Sequence, residues 1–262
     1  MNLRARQSGI LGLIGGIVLG SCSLLTGMPA LALTDEEIIQ RLEPVPVFTI
    51  ADGEGNPLVI PAGEEGNVEV AGVFISQNDA QSFIDNTLRS SNPELASNVQ
   101  VILISLAEVY KLALESRAND ELFGFTFIPV QDEVTSAISL LQQSGQTVEE
   151  FDGVPIFYAR STAEDGGYLT IEREERQIIP MYFEQEVLQQ IVDTLRQRRP
   201  EMADTLVIEV TNLETLIQTF QQSDDPGLNQ IQLIPTRESL EYVLENVEPP
   251  QGQPAPAPQP TP

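Results

Sequence analysis

Histidine and tryptophan are absent from this 262-residue chain, cysteine occurs once, at position 22, and lysine once, at position 111. Each gap closes off a class of chemistry. Without histidine there is no His-assisted nucleophile and no imidazole metal ligand, and one cysteine cannot complete a thiolate zinc site. A single cysteine also excludes a disulfide within the chain, so the fold must hold by packing. Basic residues are scarce as well: 13 Lys and Arg stand against 39 Asp and Glu, a formal charge of −26. Such a field repels nucleic acid phosphates and anionic lipid head groups, so no nucleic acid and no stable membrane insertion are expected. It also keeps a protein soluble and apart from its copies, so a monomer is expected.

Catalytic motifs are equally thin. There is no Gly-x-Ser-x-Gly elbow and no phosphate-binding glycine loop. A Ser-Lys dyad would have to use Lys111, which lies beside Leu112 on an ordinary amphipathic segment. The clusters Asp52–Asn56 and Glu164–Gly167 lack the alternating carboxylates and terminal Glu of a calcium loop. They fall between paired strands, where glycine and short acids make turns. Carboxylates are numerous enough for a two-carboxylate hydrolase, yet no pair stands out. The chain therefore reads as a protein that is not an enzyme, with no cofactor and with no catalytic, cofactor-binding or metal-binding residue assigned.

What is present is a core-forming composition, 41% hydrophobic, framed by two unusual ends. Residues 1–32 read as a secretory signal: Arg4 and Arg6 form a positive start, Ile10–Leu19 an apolar run, and Ala30-Leu31-Ala32 a small-x-small cleavage site after Ala32. A rival cut is set by Leu19-Gly20-Ser21-Cys22, which loosely resembles a lipoprotein box and would lipidate Cys22. Either cut sends the chain out of the cytoplasm. Cleavage after Ala32 leaves 11 basic residues against 39 acidic ones, a charge of −28. At the other end, seven of the residues 249–262 are proline, which reads as an extended, solvated tail.

Between these ends the chain repeats itself. Shifted by 107 residues, Ala80–Leu106 falls on Val187–Leu213 with eight identities in 27, among them Thr87-Leu88-Arg89 on Thr194-Leu195-Arg196 and Pro93-Glu94 on Pro200-Glu201. Self-similarity at a fixed period marks a duplication. The first half, residues 33–145, opens with an amphipathic stretch at Thr34–Leu42. It continues with strands at Val45–Ile50, Pro57–Ile60 and Val68–Ile75, and a helix capped by Ser76 with Asp79. Val99–Ile104 reads as a buried strand, Ser105 with Glu108 caps the next helix, and Phe123–Val130 is a strand followed by a helix through Val134, Ala137, Ile138 and Leu141. The second half, residues 146–248, repeats the order from Val154-Pro155-Ile156-Phe157, with a capping box at Thr211 and Glu214. The expected fold is α+β: two β-β-β-α-β-α-β-α halves related by a pseudo-twofold axis, with helices packed on sheets.

The few aromatics read mostly as core. A duplicated fold also leaves a cleft or paired grooves where its halves meet. The aromatics flanking such a site, Phe74 and Phe127 in the first half and Tyr182 and Phe183 in the second, are the candidate residues for binding an apolar partner.

The Val45-Pro46-Val47-Phe48 opening, the Val73-Phe74-Ile75-Ser76 strand entering an Asp-Ala helix, Val101–Ser105 feeding Leu106-Ala107-Glu108-Val109-Tyr110, and Phe127-Ile128-Pro129-Val130 together resemble the Tic twenty-two family over about Leu33 to Val247. The resemblance implies a chaperone-like protein that escorts precursor or outer-membrane proteins between membranes and works with the barrel-assembly machinery of the outer membrane. Together with the bacterial-type export signal it implies the periplasm, with the thylakoid lumen as another compartment and lipid anchoring through Cys22 at the outer membrane as the alternative. Two other classes stay open at this point: a structural adaptor that bridges outer-membrane machinery, and a carboxylate-dependent hydrolase.

Overall fold

The chain's structure is a computed structural model that describes residues 32–62, 68–119, 123–163, 166–173, 175–199 and 205–246. The export signal through Leu31, Cys22, Pro200 and the proline-rich tail lie outside these residues. No helix among the described residues is long and apolar enough to cross a membrane.

A short helix α1 (Asp35–Leu42) leads. Thr34 caps it with a reciprocal box, its hydroxyl accepting the Glu37 N–H while the Glu37 carboxylate accepts the Thr34 N–H at 2.9 Å. The first half then runs β1 (Pro46–Asp52), β2 (Val59–Ala62), β3 (Val68–Phe74) and α2 (Gln77–Ser82). Helix α2 continues as a π-helical stretch (Phe83–Leu88) into α3 (Arg89–Ser91) and α4 (Pro93–Ser97). Next come β4 (Val99–Ser105), α5 (Leu106–Ala118), β5 (Phe123–Ile128) and α6 (Gln131–Gln143). The second half runs β6 (Pro155–Ser161), β7 (Ile171–Arg173), β8 (Arg176–Tyr182), α7 (Gln185–Arg198), β9 (Leu206–Asn212), α8 (Leu213–Gln222), a 3-10 turn (Pro226–Gln230), β10 (Ile231–Ile234) and α9 (Arg237–Asn246).

The two sheets have the same order. Strand β1 lies between β4 and β3, and β3 pairs in parallel with β5; β6 lies between β9 and β8, and β8 pairs in parallel with β10. The register repeats too: Phe48 faces Phe74 and Leu103, while Phe157 faces Tyr182 and Val210. The halves' central helices start alike, the Leu106 N–H bonding the Val45 carbonyl and the Leu213 N–H the Val154 carbonyl, both at 2.8 Å. That equivalence fixes the second cap at Asn212, whose side chain accepts the Thr215 N–H at 2.7 Å, one residue beyond the expected Thr211. In the first half Ser105 caps as expected, accepting the Glu108 N–H at 3.1 Å.

Period-two alternation sends the side chains of each inner strand to opposite faces. Val47, Val73, Ile156 and Met181 enter a central core shared by both sheets, closed by α1, α5 and α8 through Ile38, Leu42, Leu106, Leu213 and Phe220. Phe48, Ile50 and Phe74 instead fill a first outer core with Ala80, Ile84 and Leu88 from α2 and its π-helical extension. Phe157, Ala159 and Tyr182 fill a second outer core with Leu188 and Val192 from α7. The last helix of each half crosses over. Tyr242 of α9 stands edge-on to Phe48 of the first sheet at 5.2 Å, and Ala137 of α6 is buried in the outer core of the second. The two repeats therefore interlock and share a core instead of forming separate ones.

Candidate functional site

Each sheet ends in a parallel edge strand. In β5, alternation directs Phe123, Phe125 and Phe127 to one face of the sheet and Gly124, Thr126 and Ile128 to the other. The phenylalanines line an open groove of about 680 Å³ between α5 and α8. Its α5 wall includes Val109, Tyr110, Ala113 and Leu114, and its α8 wall includes Thr215, Ile217, Gln218 and Gln221. Phe123 and Phe125 meet edge-to-face at 5.0 Å, a stable aromatic geometry, and both remain only partly buried. The Ser116 hydroxyl donates to the Phe123 carbonyl at 2.8 Å and ties the start of the strand to α5.

A polar cluster joins the two walls. The Tyr110 hydroxyl donates to Asp35 Oδ1 at 2.7 Å and accepts from Gln221 Nε2 at 2.9 Å. Burial, with Asp35 beside it, raises the Tyr110 hydroxyl above its ordinary pKa, so it stays a neutral donor. Arg117 lines the groove one turn beyond Ala113. An aromatic floor, the apolar Val109, Ala113 and Leu114 of α5, and an α8 wall that is polar apart from Ile217 suit an amphipathic segment of another chain better than a small polar substrate.

A smaller pocket of about 210 Å³ lies on the opposite face of the first sheet, walled by Ile50, Leu58, Ile60, Phe74, Phe83 and Ile128. Ile60 is 55% exposed at its rim, and Phe83 stands on the π-helical stretch.

The four aromatics singled out in the sequence have different fates. Phe127 lines the open groove and is partly buried. Phe74 reaches the smaller pocket but keeps only 5% of its surface exposed. Tyr182 and Phe183, 5% and 3% exposed, belong to the second outer core and the central core. Phe74, Tyr182 and Phe183 offer almost no surface as they stand, because α2 and its π-helical extension cover Phe74, α7 covers Tyr182, and Phe183 lies in the central core. Sequence reasoning passed over Phe123, Phe125 and the facing walls of α5 and α8. The legible signal was the Phe-x-Phe-x-Phe alternation of an edge strand.

The acidic turn after β1 spends its carboxylate on the turn itself: Asp52 Oδ1 accepts the N–H groups of Glu54 and Asn56, both at 2.9 Å, with Gly55 at φ +89°. Lys111 pairs with Glu43 at 3.9 Å on the protein surface.

Comparison with known proteins shows the family and the fold. The model of the Tic22-like family matches residues 20–245. The chain is 22% identical over 207 residues to the TIC 22-like chloroplastic protein of Arabidopsis thaliana, with 78% of this chain aligned, and it spans 61% of that protein's length. Among solved structures, Tic22 from Anabaena, described as a protein-transport protein, is similar with a TM-score of 0.73 and 29% identity, over 83% of this chain and all of that one. Tic22 from Plasmodium falciparum shares the fold with a TM-score of 0.61 at 20% identity, over 79% of this chain and 95% of that one.

Proposed function

The chain belongs to the Tic22-like family, and on that premise we propose that it acts in protein transport as a chaperone-like escort. In this reading it is exported, works in the periplasm as a monomer, and carries precursor or outer-membrane proteins to the barrel-assembly machinery of the outer membrane. The observation that carries the proposal is the open groove over Phe123, Phe125 and Phe127, apolar surface that a compact monomer ordinarily hides. The charge of −28 expected after cleavage complements it, since two copies repel each other while a weakly charged client does not. Affinity should be modest: each anchor residue contributes about 1.5–3 kcal/mol, and ordering the client offsets much of it.

The test is to dilute a denatured outer-membrane barrel protein into buffer with and without the mature chain, at low and high salt. Suppression of aggregation at stoichiometric ratio under both conditions, weakened by Phe123→Asp, is the expected result, because apolar contacts are not screened. Aggregation unchanged by the protein in both buffers would remove the escort and leave an adaptor that bridges outer-membrane machinery without holding clients. Suppression lost at high salt would assign binding to the acidic surface instead.

A further inference from the structure

We infer that the open groove accepts an amphipathic α-helix, because the chain seats one of its own, α1, in the internal counterpart of that groove. The inference rests on the escort reading and specifies the client's conformation.

The correspondence follows from the repeat. Helices α5 and α8 begin with the same backbone bond 107 residues apart, so Tyr110, Lys111 and Ala113 correspond to Ile217, Gln218 and Phe220. The parallel edge strands correspond through their registers: Phe125 faces Ala71 and Phe127 faces Val73, as Ile231 faces Ile179 and Leu233 faces Met181. Phe123 then corresponds to Asn229. The residues that hold α1 are the mates of those that line the open groove. The Leu33 N–H bonds the Phe220 carbonyl at 3.1 Å, the Tyr110 hydroxyl bonds Asp35, Arg41 Nη2 donates to Asn229 Oδ1 at 2.8 Å, and Lys111 pairs with Glu43. Their mates Ala113, Ile217, Phe123 and Gln218 all line the open groove. On its inner face α1 buries Ile38 and Leu42 completely, four residues apart, in the core that Phe220, Ile231 and Leu233 help build.

The repeat supplies two such grooves and only one α1. Ahead of the second half, α6 has crossed onto the second sheet, and the segment after it places Phe151 against that sheet's outer core. That segment cannot also lie between α5 and α8, so the groove over β5 stays open. Its differences from the filled one set the occupant's chemistry. Ala113 replaces Phe220 and widens the groove, and three phenylalanines replace Asn229, Ile231 and Leu233 on the floor. The preferred occupant is a helix of two turns or more with large apolar residues four apart. Arg117, a turn beyond Ala113, stands where the occupant's first turn would lie and favours acidic residues there.

The probe is a fluorescent peptide of residues 33–43, titrated into the full chain and followed by anisotropy. The expected result is saturable one-to-one binding. It should weaken at least tenfold when the peptide carries Ile38→Asp with Leu42→Asp, or the helix-breaking Gln40→Pro, which leaves the anchors in place. It should weaken likewise when the protein carries Ala113→Trp or, from the opposite wall, Gln218→Trp, each checked for an unchanged thermal midpoint. Equal binding of the native and Gln40→Pro peptides, both blocked by the tryptophans, would overturn the helical client while keeping the groove as the escort's site. Binding that ignores both tryptophans would show exchange with the resident α1 and overturn the inference. Absence of binding by any peptide would also overturn it, and if the tryptophan variants then suppress aggregation fully, the groove falls as the client site too.

Discussion

Glu238 Oε1 accepts the backbone N–H of Asn78 at 2.9 Å, joining the first turn of α9 to the first turn of α2 across 160 residues of chain. The same carboxylate accepts the Ser76 hydroxyl at 3.1 Å. The other half returns the arrangement, with Glu133 Oε2 of α6 accepting the N–H of Gln185 at the start of α7 at 3.0 Å. Asn78 and Gln185 are themselves 107 residues apart. Each crossed helix therefore supplies an acceptor to an N–H that lacks an intrahelical partner, which ties the crossing to the repeat.

Removing either carboxylate should loosen the junction. Glu238→Ala and Glu133→Ala are each expected to lower stability by about 1–2 kcal/mol, the usual loss for an N-terminal cap. Urea unfolding of the single and double variants checks this, and near-additive losses are expected because the two caps share no partner.

Charge makes the same junction pH-dependent. Burial raises the Glu133 carboxyl above its ordinary pKa; the Gln185 N–H pulls it back, while Glu184, Asp132 and Glu186 push it further up. Asp79 is raised by burial and then by Glu238 and Asp132. A folded pKa above the unfolded one means a contribution present in acid and lost as pH rises through the folded value. At neutral pH these carboxylates therefore strain the junction. Glu133→Gln keeps an acceptor for Gln185 without the charge, so it should raise the thermal midpoint at pH 7, with the gain fading towards pH 4. A gain that is constant across that range would refute the electrostatic account.

Gly153 has φ +81° and sits against the Glu214 side chain, where a Cβ would collide with the carboxylate. Gly153→Ala should destabilise by about 1 kcal/mol or more through the left-handed backbone alone. Adding Glu214→Ala should recover only the steric part of the loss, a split that thermal unfolding of the two variants can measure.

Processing is testable at Leu33. Its N–H meets the Phe220 carbonyl in the last turn of α8, so cleavage after Ala32 would set a terminal ammonium where the helix dipole favours a cation. Mass spectrometry of the exported protein should find an unmodified chain beginning at Leu33. A diacylated Cys22 would instead make it an outer-membrane lipoprotein.

The repeat, the element order and the Ser76 and Ser105 caps were legible because they are local. Alternation, helical periodicity and cap chemistry act over a few residues, and a duplicated segment writes them twice. The caps that cross between halves were not legible, since nothing near Glu133 or Glu238 in sequence names Gln185 or Asn78. Which aromatics face outward was likewise decided by packing. Phe74 and Phe127 lie on neighbouring strands of one sheet with similar sequence surroundings. The tertiary fold covers Phe74 with α2 and its π-helical extension, while the groove between α5 and α8 leaves Phe127 partly open. Sequence thus determined the halves and their elements. Only the three-dimensional crossing of α6 and α9, and the seating of α1 in one of two equivalent grooves, decided where apolar surface stays open, because burial depends on neighbours distant in the chain.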